Sequence, residues 1–123
     1  MISAIHRAHI FVAFLLTGAC AVGGIWSAYC WAKKKNPARL LRVWYVGCYA
    51  LVYCQVALGA ILYGRGLRPG DVTHVLYGIT PAVVILVLQA SKKSIEPRMA
   101  SVMTIVMFAF AGMGVRGIIT GFG

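Results

Sequence analysis

The fold of this chain is decided by the stretch AHIFVAFLLTGACAVGGIWSAYCWA, residues 8–32, which contains no charged residue. About twenty consecutive apolar residues form a helix long enough to span the hydrocarbon core of a bilayer, and this run exceeds that length. A cleaved signal peptide is disfavoured, because the run is too long and the lysine cluster follows it instead of preceding it. The stretch therefore predicts a retained transmembrane helix.

Three further apolar runs follow, from about Val43 to Gly64, from about Val72 to Ala90 and from about Met99 to Ile119. Continuous runs of this length indicate helices and disfavour the alternating strands of a membrane barrel. The whole chain is 61% hydrophobic and 11% charged, which is far more apolar than a soluble domain. We therefore expect one domain over residues 1–123, an all-α transmembrane bundle of four helices.

The charged residues predict how the bundle is oriented. Twelve Lys or Arg stand against Asp71 and Glu96, and the loops after the first and third runs carry eight of the twelve. Because Lys and Arg concentrate in cytoplasmic loops, these loops are expected in the cytoplasm and both termini on the extracytoplasmic side. This distribution favours a multi-pass membrane protein over a nucleic-acid-binding protein. The eight are Lys33, Lys34, Lys35, Arg39, Arg42, Lys92, Lys93 and Arg98, and the other four are Arg7, Arg65, Arg68 and Arg116.

All histidines of the chain fall at the predicted outer side. His9 lies a few residues into the first helix and His74 a few residues into the third, so their imidazoles are expected at similar depth. Steps of three or four residues from His9 give a stripe of small or weakly polar side chains. Small residues mark helix contacts in membranes, so His9 is predicted to point into the bundle. The stripe is Ala13, Thr17, Cys20, Gly24 and Ser27, whereas Phe11, Leu15, Val22 and Trp26 on the opposite side suit lipid.

Matching interior faces are predicted on the other three helices by the same spacing. Their polar members are expected to converge with His9 on one interior that opens toward the outside. The predicted faces are Cys48, Gln55 and Gly59 on the second helix, His74, Tyr77 or Gly78, Pro81 and Ile85 on the third, and Ala109, Gly112 and Arg116 on the fourth.

These residue types suit a flat metal cofactor. Neutral imidazole is a good ligand for haem iron, and two imidazoles at equal depth on different helices can hold one macrocycle between them. His9 and His74 are therefore the candidate metal ligands. Arg116 is a candidate partner for an anionic group of the cofactor. Tyr77 is placed beside the site, and Gln55 is a candidate contact for a cofactor edge or a quinone carbonyl.

Each of these residues also has a purely structural interpretation. Histidine, arginine and tyrosine are ordinary at the ends of membrane helices, and His6 is expected in the headgroup region. Arg116 can extend to the interface on its own, and Gln55 can form an interhelical hydrogen bond worth roughly 0.6 kcal/mol. Both interpretations remain open on the sequence alone.

Catalytic motifs are not found in the sequence. It contains no phosphate-binding loop, no G-x-S-x-G and no pair of carboxylates, so no enzymatic activity is expected. The four cysteines form no C-x-x-C motif and fall inside apolar runs, so neither a disulfide framework nor a metal cluster is predicted. They are Cys20, Cys30, Cys48 and Cys54.

Two stretches, HVLYG at residues 74–78 and AGMGVRG at residues 111–117, resemble segments of small uncharacterised bacterial membrane proteins built of four helices. The chain is also distantly similar to the membrane domains of b-type cytochromes, such as the cytochrome b561 group, which implies haem ligation by histidine. Those domains usually place histidines on both sides of the membrane, whereas here every histidine is at the predicted outer side. The resemblance therefore implies at most one cofactor, near the outer face.

Two functions remain open at this point. The first is a non-catalytic accessory subunit that stabilises a larger respiratory or photosynthetic electron-transfer complex, favoured because no extramembrane domain is expected. The second is a carrier of one b-type haem or chlorin, or of a quinone, held through His9 and His74. The two functions are compatible, and in both the expected partners are the lipid bilayer and other membrane subunits.

Overall fold

The computed structural model describes residues 2–66 and 73–122, and these residues form helices and short turns without a strand. The predicted all-helical fold is confirmed, with four long helices in the described part of the chain. The predicted start of the third helix at Val72 lies outside the described residues, as do Arg68 and Asp71. In chain order the elements are α1 (Ile2–Ala32), α2 (Arg39–Gly64), α3 (Thr73–Ala90), the single-turn α4 (Lys92–Ile95), a 3-10 turn (Glu96–Arg98) and α5 (Met99–Phe122).

The first two helices begin earlier than their apolar runs. Helix α1 includes the polar turn around His6 and Arg7, and α2 includes Arg39 and Arg42. The backbone hydrogen bonds of a helix form with apolar and polar side chains alike. A helix can therefore extend beyond the residues that fit into the hydrocarbon core of a bilayer. The apolar runs therefore indicated the membrane-embedded length, and the helices extend beyond it.

Three helical segments are long and apolar enough to cross a membrane: Ser3–Ala32, Arg39–Gly64 and Lys92–Ile119. Helix α3 is the exception, because its apolar part, His74–Ala90, is shorter. With 18 residues it is about 27 Å long, slightly less than the roughly 30 Å of a bilayer core. These lengths indicate a membrane protein with at least three spanning segments.

The four long helices form a ring in which each has two close neighbours. Helix α1 packs against α5 and α2, and α3 also packs against α5 and α2. Helices α1 and α3 therefore stand diagonally across the bundle. We name the two ends of this bundle by their residues: the histidine end, where α1 and α3 begin, and the basic end, which carries the two lysine-rich loops.

The interface between α1 and α5 is the most extensive, and small residues make it possible. A Cβ at Gly24 of α1 would lie 3.0 Å from the ring of Phe108, and one at Gly114 of α5 would collide with Thr17. In a membrane, where lipid is as apolar as the helices, such close van der Waals packing is a main source of helix association. The small-residue stripe below His9 is thus a packing surface, as its spacing predicted, with Cys20 and Ser27 fully buried.

Hydrogen bonds between α1 and α2 fix that pair nearer the basic end. The hydroxyl of Ser27 donates to the carbonyl of Gly23 at 2.7 Å, so Tyr45 is the donor in its own hydrogen bond to Ser27. The indole nitrogen of Trp44 donates to the carbonyl of Ala19 at 2.8 Å. The bonds from Tyr45 to Ser27 and from Trp44 to Ala19 each join α2 to α1, so they fix the register of the two helices.

The interior faces predicted for α2 and α3 agree with the observed burial, since Cys48, Pro81 and Ile85 are buried. The face predicted for the fourth helix was wrong. Its three predicted members are exposed, and α5 turns bulky side chains inward in their place. The reason is complementarity, because the small stripe of α1 leaves space that large residues of α5 fill. The exposed residues are Ala109, Gly112 and Arg116, and the inward ones include Met103, Met107 and Phe110.

The lipid-facing side predicted for α1 needs one correction. Phe11, Leu15 and Val22 are exposed as expected. Trp26 is half-buried, because its ring packs against Trp44 of α2 at a centroid distance of 6.3 Å. The indole is large enough to reach around the helix to the neighbouring tryptophan, which helical spacing alone does not predict.

Replacing Gly114 by Val should destabilise the bundle, because Thr17 occupies the place of the new side chain. We expect a loss of about 1–3 kcal/mol, the usual cost of overpacking. The matched control is Gly112→Val in the same helix, since a Cβ there meets nothing within 4 Å. The measurement is thermal unfolding of both variants in the same detergent, and equal stabilities would contradict the packing described for α1 and α5.

Candidate functional site

A cavity of about 610 Å³ opens among the four long helices at the histidine end. This volume lies within the range of small-molecule sites in proteins, about 300–1,000 Å³. Its walls are mostly apolar, with contributions from Ile10, Val52 and Phe110. A few polar side chains interrupt them, which is the usual composition of a ligand site. The polar lining residues are His6, His9, Gln55, Tyr63, His74 and Tyr77.

His9 and His74 meet inside this cavity. Their ring centroids are 6.2 Å apart and their planes are inclined by 71°, an edge-to-face arrangement. Both imidazoles are half-buried. Because α1 and α3 are diagonal in the ring of helices, the two side chains reach each other across the middle of the bundle. The contact places the two rings within roughly one helical turn of each other along the bundle.

The position of His9 depends on a glycine of α2. A Cβ at Gly59 would lie 3.1 Å from Cε1 of His9, so the imidazole rests directly on the α2 backbone. A larger residue at this position would push the ring toward His74 or out of the cavity. Gly59 was selected from the sequence as an interior residue, and the structure shows which side chain needs the space.

Two buried polar atoms at the cavity are unpaired. Nδ1 of His9 and Oε1 of Gln55 have no hydrogen-bond partner within the described part of the chain. A buried acceptor or donor without a partner costs about 1–3 kcal/mol, so such atoms are rare and usually have a function. Both atoms belong to residues that line the same cavity.

The remaining predicted site residues divide into two groups. Tyr77 lines the cavity and is half-buried. Arg116 does not line it, because Met113, Gly114 and Gly117 form the inner face of this part of α5. The guanidinium of Arg116 is on an exposed face of the helix. The structure therefore brings together four of the five predicted residues and leaves Arg116 apart from them.

Sequence reasoning missed two kinds of lining residue. His6 was expected in the headgroup region, yet it lines the cavity although its side chain is exposed. Its position three residues before His9 places both on one helix face, and this signal was available. Phe110 and Met113 were missed because the search for interior faces looked for small residues, and on α5 the cavity wall is bulky.

The donor set suits a macrocyclic metal cofactor better than a bare ion. Among the described residues, no group of three or more His, Cys, Asp or Glu side chains is placed to hold a metal. A structural zinc ion needs about four protein ligands, whereas a haem macrocycle brings its own four nitrogens and needs axial ligands only. His9 and His74 would hold the metal of such a cofactor.

Comparisons of the chain with protein-family models, with curated proteins and with solved structures find no match. The interpretation of the cavity therefore depends on its own geometry and chemistry.

Replacing Gln55 by Leu tests whether its amide serves the fold or a ligand. If Oε1 is unpaired in the protein alone, the substitution removes a buried unsatisfied acceptor, and stability should rise by about 1 kcal/mol. The measurement is thermal unfolding in detergent without added cofactor, with Gln89→Leu on exposed α3 surface as the control. A loss of stability in Gln55→Leu would show that the amide forms an interhelical hydrogen bond instead.

Proposed function

We propose that this protein is a small multi-pass membrane subunit that holds one flat cofactor, a b-type haem or a chlorin, between α1 and α3. In this proposal it belongs to a larger electron-transfer complex of the bacterial inner membrane and catalyses no reaction of its own. The observation that carries the proposal is the convergence of His9 and His74 in one cavity.

The cavity offers what such a cofactor needs from a protein. Apolar walls exclude water from a hydrophobic ring, and the imidazoles of His9 and His74, on separate helices, would hold its metal. When bound, the iron of a haem supplies one-electron redox chemistry. The chain supplies ligation through His9 and His74, and the amide of Gln55 offers a hydrogen bond to the ring edge. Tyr77 adds a phenol on the α3 side of the same cavity.

A quinone is the alternative occupant. The side-chain amide of Gln55 carries a donor and an acceptor, and either suits one redox state of a quinone oxygen. The imidazole of His9 is a second hydrogen-bonding group in the lining of the same cavity. The composition of the cavity suits a quinone as well as a haem or chlorin. An absorbance spectrum distinguishes the two kinds of ligand, because only a haem or chlorin absorbs strongly in the visible.

We propose that α3 crosses the membrane with the other three long helices, so that both termini are extracytoplasmic. Supporting this, α3 packs beside α2 and α5, with Ile85 fully buried. The hydroxyl of Tyr53 donates to the carbonyl of Ala82 at 3.3 Å, which attaches the middle of α3 to α2. A modest shortfall in length costs only a fraction of a kcal/mol per Å, which local thinning of the bilayer can supply. The lysine-rich loops then face the cytoplasm.

A purely structural accessory subunit is the second candidate, and the outer surface of α2 favours it. Small residues recur there at steps of three or four, and all of them are exposed. Lipid-facing surfaces elsewhere on the bundle carry large side chains such as Phe11 and Ile105. Small residues let another helix approach closely, so this face suits a neighbouring subunit. The residues are Gly47, Ala50, Cys54 and Ala57, which we name the α2 small face.

The cofactor proposal is tested by absorbance spectroscopy of the protein purified from its native membrane. The wild type should show a haem spectrum typical of two axial imidazoles. His9→Ala and His74→Ala should each abolish that spectrum, because either change removes one axial ligand. His6→Ala and Arg116→Ala are the controls and should retain it, since the first is not an axial ligand and the second lies outside the cavity. A colourless wild type, or a spectrum that survives both His9→Ala and His74→Ala, would refute the proposal.

The α2 small face is tested by cross-linking in native membranes. Cys54 is the exposed thiol among the four, whereas Cys20, Cys30 and Cys48 are buried, so a short thiol-reactive cross-linker should react at Cys54. If a partner helix covers this face, the wild type should give an adduct of higher mass that Cys54→Ala does not. Ala57→Leu should weaken the adduct by obstructing close approach, and Val115→Leu, at an exposed position of α5, should not. A monomer as the sole product would remove the support for a partner at this face.

A further inference from the structure

A second cavity, of about 280 Å³, lies at the basic end of the bundle. It is formed where the loop between α1 and α2 meets the beginning of α5. Three cations line it, together with an aromatic residue and two small polar side chains. These residues are Lys34, Lys35, Arg98, Trp31, Asn36 and Ser101, and we name this site the basic pocket.

The positive charge of the basic pocket is not balanced by the chain. The sequence contains two carboxylate side chains, Asp71 and Glu96. Asp71 lies outside the described residues, and in the sequence it stands between Gly64 and Thr73, the ends of α2 and α3 at the histidine end. Glu96 is near the pocket, but its carboxylate is paired with Arg42 at 2.7 Å. Over the described residues, no carboxylate therefore remains to neutralise the three cations.

The backbone brings these cations together in a defined way. In the turn that follows helix α1, Lys34 is in the left-handed region, at φ 54°. The amide of Lys34 donates to the carbonyl of Trp31, and that of Lys35 donates to the carbonyl of Cys30 at 2.9 Å. Such a reversal ends a helix abruptly, so both lysines follow within one turn of Trp31. Arg98 directly precedes α5 and contributes the third cation.

We propose that the basic pocket binds the phosphate headgroup of an anionic phospholipid. Clustered Lys and Arg at the end of membrane helices attract anionic lipids, and basic pockets between helices hold their headgroups. Trp31 is half exposed beside the cations, as suits an aromatic residue at headgroup level. Met99 and Ala100 supply an apolar side to the pocket, where the first part of an acyl chain can lie. The site is independent of any cofactor at the histidine end.

A lipid is favoured over a soluble phosphate by where the pocket lies. It stands at the ends of α1 and α5, and both belong to segments long enough to cross a membrane. The pocket is therefore level with the headgroups of one leaflet, where anionic lipid is concentrated and free phosphate is not. The shared chemistry is a phosphate group beside three cations, and the experiment distinguishes the two sources.

Native mass spectrometry of the whole chain in detergent tests the proposal. Phosphatidylglycerol and phosphatidylcholine are titrated separately, and lipid-bound protein is counted for each. The test variant carries Lys34→Asn, Lys35→Gln and Arg98→Gln, with Asn chosen because it tolerates the left-handed conformation. The matched control removes the same number of charges at the same end by Arg39→Gln, Lys92→Gln and Lys93→Gln, none of which lines the pocket.

Wild type and control should retain phosphatidylglycerol in preference to phosphatidylcholine. The test variant should lose that preference, by about fivefold for each pocket charge removed. Circular dichroism of all three proteins verifies that the helices are intact. Equal phosphatidylglycerol retention by test variant and control would overturn the site, because the lipid would then sense only overall charge. Displacement of the lipid by equimolar inorganic phosphate would also overturn it, since the pocket would then recognise a free anion.

Discussion

The close approach of α1 to its neighbours is the constraint on which the other features of this structure depend. Lipid gives little hydrophobic drive for helices to associate, so the bundle relies on contact between backbones and complementary side chains. Gly24 and Thr17 lie on the side of α1 that faces α5, and Ser27 is joined to Tyr45 of α2. These contacts fix how α1 is rotated about its axis. Because His9 belongs to the same stripe, they also aim its imidazole into the bundle.

The sequence could predict this orientation of α1 because its two sides differ strongly in size. One side carries small residues and the other carries large residues such as Phe11 and Leu15, so helical spacing predicts which side of α1 faces the bundle. Helix α5 offered no such contrast, since its glycines occur on several sides. Gly112 is exposed, whereas Gly114 packs against Thr17. The inward face of α5 is determined by which of its side chains fill the space left by α1. This fit depends on both helices together, so the sequence of α5 alone does not predict it.

The same limit applies to the candidate site. Equal depth of His9 and His74 followed from helix direction and from counting residues, because rise per residue is constant. The contribution of Gln55 also followed from spacing. The exclusion of Arg116 did not, since it depends on the rotation of α5. Whether two diagonal helices bring their imidazoles into contact depends on how the four helices are ordered, and no single-helix pattern contains that order.

The middle of the bundle determines what a cofactor at the histidine end could do. Between the large cavity and the basic end, the interior is filled by apolar side chains that are essentially inaccessible, including Ile85, Met103 and Met107. No histidine occurs at the basic end to ligate a second cofactor. A haem held by His9 and His74 would thus have no relay within this chain across the membrane. Electrons would have to enter and leave sideways, at one level of the bilayer, through a neighbouring subunit. Under the proposed function, a cofactor bound at the histidine end would therefore require a neighbouring subunit with which to exchange electrons.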